Sequence, residues 1–436
     1  MIRTFCAFRS EIVGMDEKKL LFYFILAVLL IRILFILATN SYINGAYDDF
    51  EAIANNILAG NGYSVSPGHY WSSKIEPTCM VAPLYTYFYA LAKFLFNSSP
   101  TSYLFIHLVQ ALFSAVSLIM VFKISRTVFG QFTAFLTSTA FLLLPTYSFY
   151  VAKSNEATFT VFFCLILVHL SLSVSRQYSS KKIVVLGIVT GLGLLVNPTV
   201  SAALPVVFLY IAFIGRNEPL RVAKDIFVIV SIAAILISPW IIRNYLVFNK
   251  FIFIKSSLGQ TLWIGNNRFS TGTQHPFFIP IEKFYYNPEI RKAYPFLDKI
   301  ESLREIQRQE LFKNEAIDFI KNNPSKAFLL MLKKTFFFWI YDKYKVQRFK
   351  DSGEVVLWKL YSIINIILIG LFVSSLPILV RRKELDIHKI FIILFCLSIS
   401  SIHIITSVGM IRFRLPVDPF IQMFSMYTVS FLIERE

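Results

Sequence analysis

The feature that most constrains this chain is a succession of apolar runs, each near the ~20 residues that a helix needs to cross a hydrocarbon core. Runs lie near 19–39, 102–125, 131–150, 157–175, 183–197, 199–214, 225–242, 356–380, 389–408 and 416–433. Only 16% of the 436 residues are charged and 56% are hydrophobic, against about 25% charged in soluble domains. Inside lipid every backbone polar group must be satisfied within the segment, so the expected fold is an all-α polytopic bundle of ten transmembrane helices. The first run is too long for a signal-peptide core and no Ala-x-Ala site follows it, so it reads as a retained helix. Residues 183–214 would form a helix of about 48 Å at 1.5 Å per residue, too long for one crossing. Asn197-Pro198 breaks that run into a hairpin of two short helices.

Orientation follows from the short basic loops. Arg3, Arg9, Lys18 and Lys19, then Lys123 and Arg126, Arg176 with Lys181 and Lys182, Arg216 with Arg221 and Lys224, and Arg381 to Lys383 with Lys389 all fall on one face if the crossings number ten. By the positive-inside rule that face is cytoplasmic, with both termini on it. The net charge of +17 is then read as orientation signal and lipid head-group contact, and no DNA- or RNA-binding motif is found; nucleic acid is not an expected partner. Cys6, Cys79, Cys164 and Cys396 show no metal spacing and imply no intramolecular disulfide.

The chain divides into 1–242, an N-terminal transmembrane module with an external segment at 40–101; 243–355, an external region; and 356–436, the C-terminal transmembrane helices. Two apolar stretches in the external segments, 83–96 and 327–341, are too short or too charged to span and read as interfacial helices. A polar helix before the second should stop at Asn322-Asn323-Pro324.

Candidate chemistry gathers on the external face. Directly after the first span, Phe50, Ile53, Ala54, Ile57 and Leu58 make one face of a short amphipathic helix that Gly60 ends. Asp48 and Asp49 stand at its start. Asp48 with Glu51 suits a capping box; Asp49 is not needed for a cap and is a candidate for chemistry. Glu156 lies at the outer end of two spans, where a carboxylate faces either a cavity or a partner such as Lys153. Arg243 closes the seventh span, and Arg412 and Arg414 occupy a short outer turn, against the orientation rule. Their planar forks suit phosphate, or else a lipid head group. Arg32, within the first span, awaits an intramembrane acid. His275 is a lone loop histidine, either solvated or part of a site.

These residues stand in an order that resembles the GT-C superfamily of membrane glycosyltransferases. The likeness is to the bacterial branch of family 39, akin to protein O-mannosyltransferases and lipid A aminoarabinose transferases. The segments that carry it are DFEAIANNILAGNGYS (49–64), EPTCMVAPLYTYFYAL (76–91), SNEATFTVFF (154–163), SPWIIRNYLVFNKFIFIKSSLGQTLWIGNN (238–267), His275-Pro276, AIDFIKNNPSKAF (316–328) and RFRLPVDP (412–419). The resemblance implies a sugar moved from a polyprenyl-phosphate donor to an extracytoplasmic acceptor, which could be protein, lipid or glycan, at a bacterial inner membrane. It places the catalytic acid at Asp49. More distant members carry an Asp-Glu pair where this chain has Ala46 and Tyr47, so the choice between Asp48 and Asp49 stays open. It matches Glu156 to an acid near the active site. The lysine that precedes Pro-Pro-Leu in the lipid A branch is missing from Val81-Ala82-Pro83-Leu84. Phosphate would then be gripped by Arg243, Arg412 or Arg414, or by a divalent cation held by Asp49 and Glu156. The expected reaction is an inverting transfer. An O-antigen polymerase or ligase, and a non-enzymatic lipid-linked sugar flippase, are the alternatives. The first should lack the acidic helix after the first span, and the second should show internal repeats.

Overall fold

The break at Leu144-Pro145 shows how the bundle is built. Helix α1 is Glu17–Ala38, α2 Asp48–Leu58, α3 Pro83–Leu95, α4 Ser99–Phe129, α5 Gln131–Leu143 and α6 Pro145–Val151. Pro145 has no N–H to offer the carbonyl of Phe141, and α5 and α6 meet at 54°. The freed carbonyls are taken by Arg32 of α1, which is fully buried. Its guanidinium donates to Phe141 O at 3.0 Å, Leu142 O at 3.2 Å and Ser148 Oγ at 2.5 Å. The partner of this intramembrane arginine is therefore a broken helix end and not an acid, because a helix C-terminus carries the partial negative charge that a cation needs.

The computed structural model describes residues 10–43, 48–97, 99–273, 287–340 and 354–435, without the side chains of Asp48, Glu354, Val355, Leu357 and Arg435. The chain continues with α7 Ala157–Arg176, α8 Ser180–Val196, a 3-10 turn Pro198–Ala203, α9 Leu204–Ile214 and α10 Pro219–Phe248. The external region supplies α11 Leu258–Gly265, α12 Pro288–Ala293, a 3-10 stretch Pro295–Ser302, α13 Glu305–Asn322 and α14 Pro324–Trp339. Then come α15 Glu354–Arg381, α16 Ile387–Thr406, the one-turn α17 Ile411–Arg414 and α18 Asp418–Arg435.

Among the described residues six helices are long and apolar enough to span a membrane (α1, α4, α7, α10, α15 and α16), and the bent α5–α6 pair makes a seventh. Length and composition thus carry seven of the ten expected crossings. The other three expected runs do form helices. However, α8 has 17 residues, Pro198–Ile214 is short, and α18 holds Asp418, Glu434 and Arg435 in 18 residues. The break at Asn197-Pro198 falls where expected, with Asn197 capping the 3-10 turn through Thr199 N.

Side-chain contacts sort the helix ends onto two faces. Glu17 of α1 pairs with Arg126 of α4, and Arg176 of α7 donates to Thr127 O at 3.0 Å. Arg382 lies 3.5 Å from Glu434, and the Tyr210 hydroxyl and His388 Nδ1 are 2.7 Å apart. All the short basic loops in the described chain lie at this face. At the other face α2 packs on α3, with Phe50 edge-on to Tyr85 at 4.9 Å, and Ile53 and Ala54 are buried. Glu51 takes Lys93 at 2.7 Å and the Tyr103 hydroxyl at 2.6 Å, so it anchors α2 to α3 and α4; the expected capping box rests on Asp48, whose side chain lies outside the described residues. After α2, a hairpin of β1 Ser64–Val65 and β2 Glu76–Pro77 pairs Ser64 with Pro77 and Val65 with Glu76. Its tip holds Tyr70 and Trp71 at φ 49° and 61°, a conformation rare for non-glycine residues. The external helices close on their own aromatic core of Trp263, Tyr294, Leu297 and Phe312. The polar helix ends at Asn322, and Pro324 opens the amphipathic α14, both as the sequence implies.

Candidate functional site

Four charged side chains from four separate stretches of sequence meet on the face opposite the basic loops. Asp49, on the first turn of α2, is half-buried. Its carboxylate accepts a hydrogen bond from Tyr70 at the hairpin tip and feels the charges of Arg412, His69 and Glu156. Burial raises its pKa above the usual carboxylate value; Tyr70, Arg412 and His69 oppose the rise, and Glu156 adds to it. The left-handed backbone at Tyr70 therefore has a local consequence: it places a phenol against the acid.

Glu156 occupies the N-cap position of α7. One of its carboxylate oxygens is buried and has no hydrogen-bond partner among the described residues. Lys153, its candidate partner, instead sets its ammonium over the Phe149 ring at 5.2 Å. The charge that faces Glu156 is Lys255, which follows α10 and which sequence reasoning did not single out. Burial lowers the Lys255 pKa, Glu156 raises it and Arg412 lowers it further. Among the described residues the Lys255 ammonium makes no hydrogen bond. His403 of α16 lies near the same two cations and stacks on Phe413 at 4.6 Å. A signal for Lys255 was present: it is the charge that ends the apolar run Phe251-Ile252-Phe253-Ile254.

The structure separates the two arginines of the outer turn. Arg412 faces the acids. Arg414 is buried and committed elsewhere: its Nε lies 2.7 Å from Asp418, and its terminal nitrogens donate to Phe338 O at 2.9 Å, to Trp339 O at 3.0 Å and to the Tyr361 hydroxyl. The expected phosphate role of Arg414 is corrected to a structural one. Arg243 is corrected in the same way. Its guanidinium donates to Tyr63 O at 2.7 Å and Thr78 O at 2.8 Å and lies 5.0 Å from the Trp240 ring. It clamps the two ends of the hairpin onto α10. His275 lies outside the described residues. Asp48 opens α2, and its side chain is likewise outside them.

Asp49 and Glu156 were also read as metal ligands. Among the described residues no three His, Cys, Asp or Glu side chains form a group able to hold a metal ion. The described groups beside the two acids are Lys255, Arg412 and His69.

Comparison with known proteins agrees with this architecture. Residues 80–242 match the family described as dolichyl-phosphate-mannose-protein mannosyltransferase. That stretch contains Glu156 and leaves Asp49, Lys255 and Arg412 outside it. No curated protein sequence matches the chain. Among solved structures, the oligosaccharyltransferase AglB of Archaeoglobus fulgidus, in complex with an inhibitory peptide and a dolichol-phosphate, is 13% identical. It aligns with a TM-score of 0.52 over 95% of this chain and 51% of that one. The same archaeal enzyme in complex with zinc and sulfate is also 13% identical, at a TM-score of 0.52 over 94% and 49%. ArnT of Cupriavidus metallidurans in the apo state is 11% identical, with a TM-score of 0.45 over 91% and 59%. The chain shares the fold of the archaeal oligosaccharyltransferase structures. It spans about half the length of the archaeal structures it matches.

Proposed function

We propose that this protein transfers a sugar from a polyprenyl-phosphate donor to an acceptor on the extracytoplasmic side of a bacterial inner membrane, with inversion at the anomeric carbon. The observation that carries this reading is the meeting of Asp49, Glu156, Lys255 and Arg412 at one face, between α2, the hairpin tip and the outer turn. The likeness to a fold solved with dolichol-phosphate and a peptide supports a lipid-phosphate donor, and the basic loops on the opposite face support an external site with cytoplasmic termini.

In the reaction Asp49 takes the proton of the acceptor hydroxyl as its oxygen forms a bond to the anomeric carbon. The bond from that carbon to the phosphate oxygen breaks, and its electron pair leaves with the polyprenyl phosphate. Lys255 and Arg412 stabilise the charge that develops there. Glu156 holds Lys255 toward this point and accepts from a sugar hydroxyl. The raised pKa of Asp49 makes it a better base than a solvated carboxylate once it is ionised.

The test is purified protein in lipid nanodiscs, supplied with a radiolabelled polyprenyl-phosphate sugar and an extract of envelope acceptors. The expected result is free polyprenyl phosphate released in step with labelled acceptor. Movement of intact donor across the bilayer with no bond cleavage would overturn the transferase reading.

A further inference from the structure

We infer that Glu305, at the start of the external helix α13, is the positioning residue that sets Lys255 in the site and stitches the two external segments together. This inference rests on the reading of Lys255 as a phosphate-facing cation. Glu305 is 2% exposed, and a buried carboxylate is costly unless its lone pairs are filled. They are filled from two distant stretches of chain. Thr78 Oγ1 donates at 2.5 Å, Cys79 N at 3.0 Å and Cys79 Sγ at 3.2 Å, all from the first external segment. Ser256 Oγ donates at 2.7 Å from the residue next to Lys255.

Lys255 is thereby pinned on both sides. Ahead of it, Ile254 is wholly buried, and its carbonyl accepts from Trp240 Nε1 at 2.6 Å and Asn244 Nδ2 at 3.3 Å, both on α10. Behind it, Ser256 is held by Glu305 and by a backbone bond from its N–H to Cys79 O at 2.9 Å. With both neighbours fixed, the only freedom left to residue 255 is its own side chain, and that side chain lies among Glu156, Arg412 and His403. The next turn of α13 reinforces the joint. Arg308 pairs with Glu76 of β2, and Gln309 accepts from Gln260 N at 2.9 Å. One face of α13 therefore grips the hairpin, the Lys255 loop and α11 together. Glu305 touches no reacting atom in this scheme. Its effect passes through hydrogen-bond geometry, which a glutamine can reproduce: its oxygen would accept from Cys79 N and Ser256, and its amide would donate to Thr78.

The experiment uses the full-length protein in nanodiscs with three variants, Glu305→Ala, Glu305→Gln and Ser256→Ala. Two quantities are read: turnover of a polyprenyl-phosphate sugar, and the pH profile of Lys255 acylation by an amine-reactive reagent, mapped by mass spectrometry. In Glu305→Ala the loop relaxes toward water. Lys255 acylation then moves to higher pH, and turnover falls about 100-fold, the usual cost of an ångström-scale misplacement. Ser256→Ala, which removes one bond, shifts both in the same direction by less. Glu305→Gln restores both to near wild type. An unmoved Lys255 profile in both Glu305→Ala and Ser256→Ala would overturn the inference, as would Glu305→Gln behaving like Glu305→Ala. Should Glu305→Ala fail to fold, the other two variants decide it. If Asp49→Asn keeps full turnover, the functional reading fails instead, whatever the acylation profile shows.

Discussion

Replacing Lys255 by methionine should weaken the enzyme while leaving the fold as stable as before or more so. Methionine keeps the length and volume of the stem and removes the charge. In the resting protein that charge is a cost: Lys255 makes no hydrogen bond among the described residues, and burial holds its pKa below the 10.5 of a solvated lysine. The unfolded chain therefore binds the proton more tightly than the native one. Stability rises as pH climbs from the lowered value toward 10.5, and below that window the penalty is present in full. The transition state is different, because there the departing phosphate gains charge. Losing one well-placed donor at such a point costs about 2.7–4 kcal/mol, or about 10²–10³ in rate. The assay is steady-state turnover in nanodiscs, paired with thermal unfolding at pH 7 and pH 10. The expected pattern is a loss of two to three orders of magnitude in rate, an unchanged or raised melting temperature, and a flatter dependence of stability on pH. Wild-type turnover, or a fall in melting temperature that accounts for the lost rate, would refute the reasoning.

Arg412→Gln should cost a similar factor in turnover with little change in stability, whereas Arg414→Met should lower stability by about 3–5 kcal/mol, because it strands Asp418 in the core; thermal unfolding separates the two. Arg412 lowers the pKa of Asp49, so in Arg412→Gln the acid limb of the kcat/KM profile should move to higher pH, and an unmoved limb would show the two are not neighbours in function. Turnover should persist in excess EDTA, since the cations beside the acids are Lys255 and Arg412; loss that only added magnesium or manganese restores would return the role to a metal at Asp49 and Glu156. Arg32→Leu should destabilise the bundle by leaving the carbonyls at the α5–α6 break unpaired, at about 1–3 kcal/mol for each group, read as a drop in the melting temperature of the purified protein.

Much of this layout is written in local patterns. The apolar runs, the α2 stripe and the Asn-Pro breaks are short-range signals, and the helices lie where those signals put them. The convergence of Asp49 and Glu156 followed from counting crossings, and the weak evidence for α8 and α9 leaves it untouched because both helices come later in the chain. Less was legible where tertiary contacts decide. Arg412 and Arg414 look equivalent in sequence, yet residues two apart on a helical turn point in nearly opposite directions, so one faces the acids and the other enters the core. Arg243 carries the same charge at the same face, but the hairpin ends that dock against it come from some 165–180 residues earlier in the chain. Glu305 lay in a polar helix with no local feature to mark it. Its partners Thr78, Cys79 and Ser256 become visible only once the external segments are folded together.

The central claim, that Asp49 is the base in a hollow whose cations hold the donor, is tested most directly by measuring donor binding and chemistry separately in Asp49→Asn. Binding of a polyprenyl-phosphate sugar should match wild type, while single-turnover transfer falls by about 10²–10⁴. Transfer at the wild-type rate in this variant would contradict the assignment.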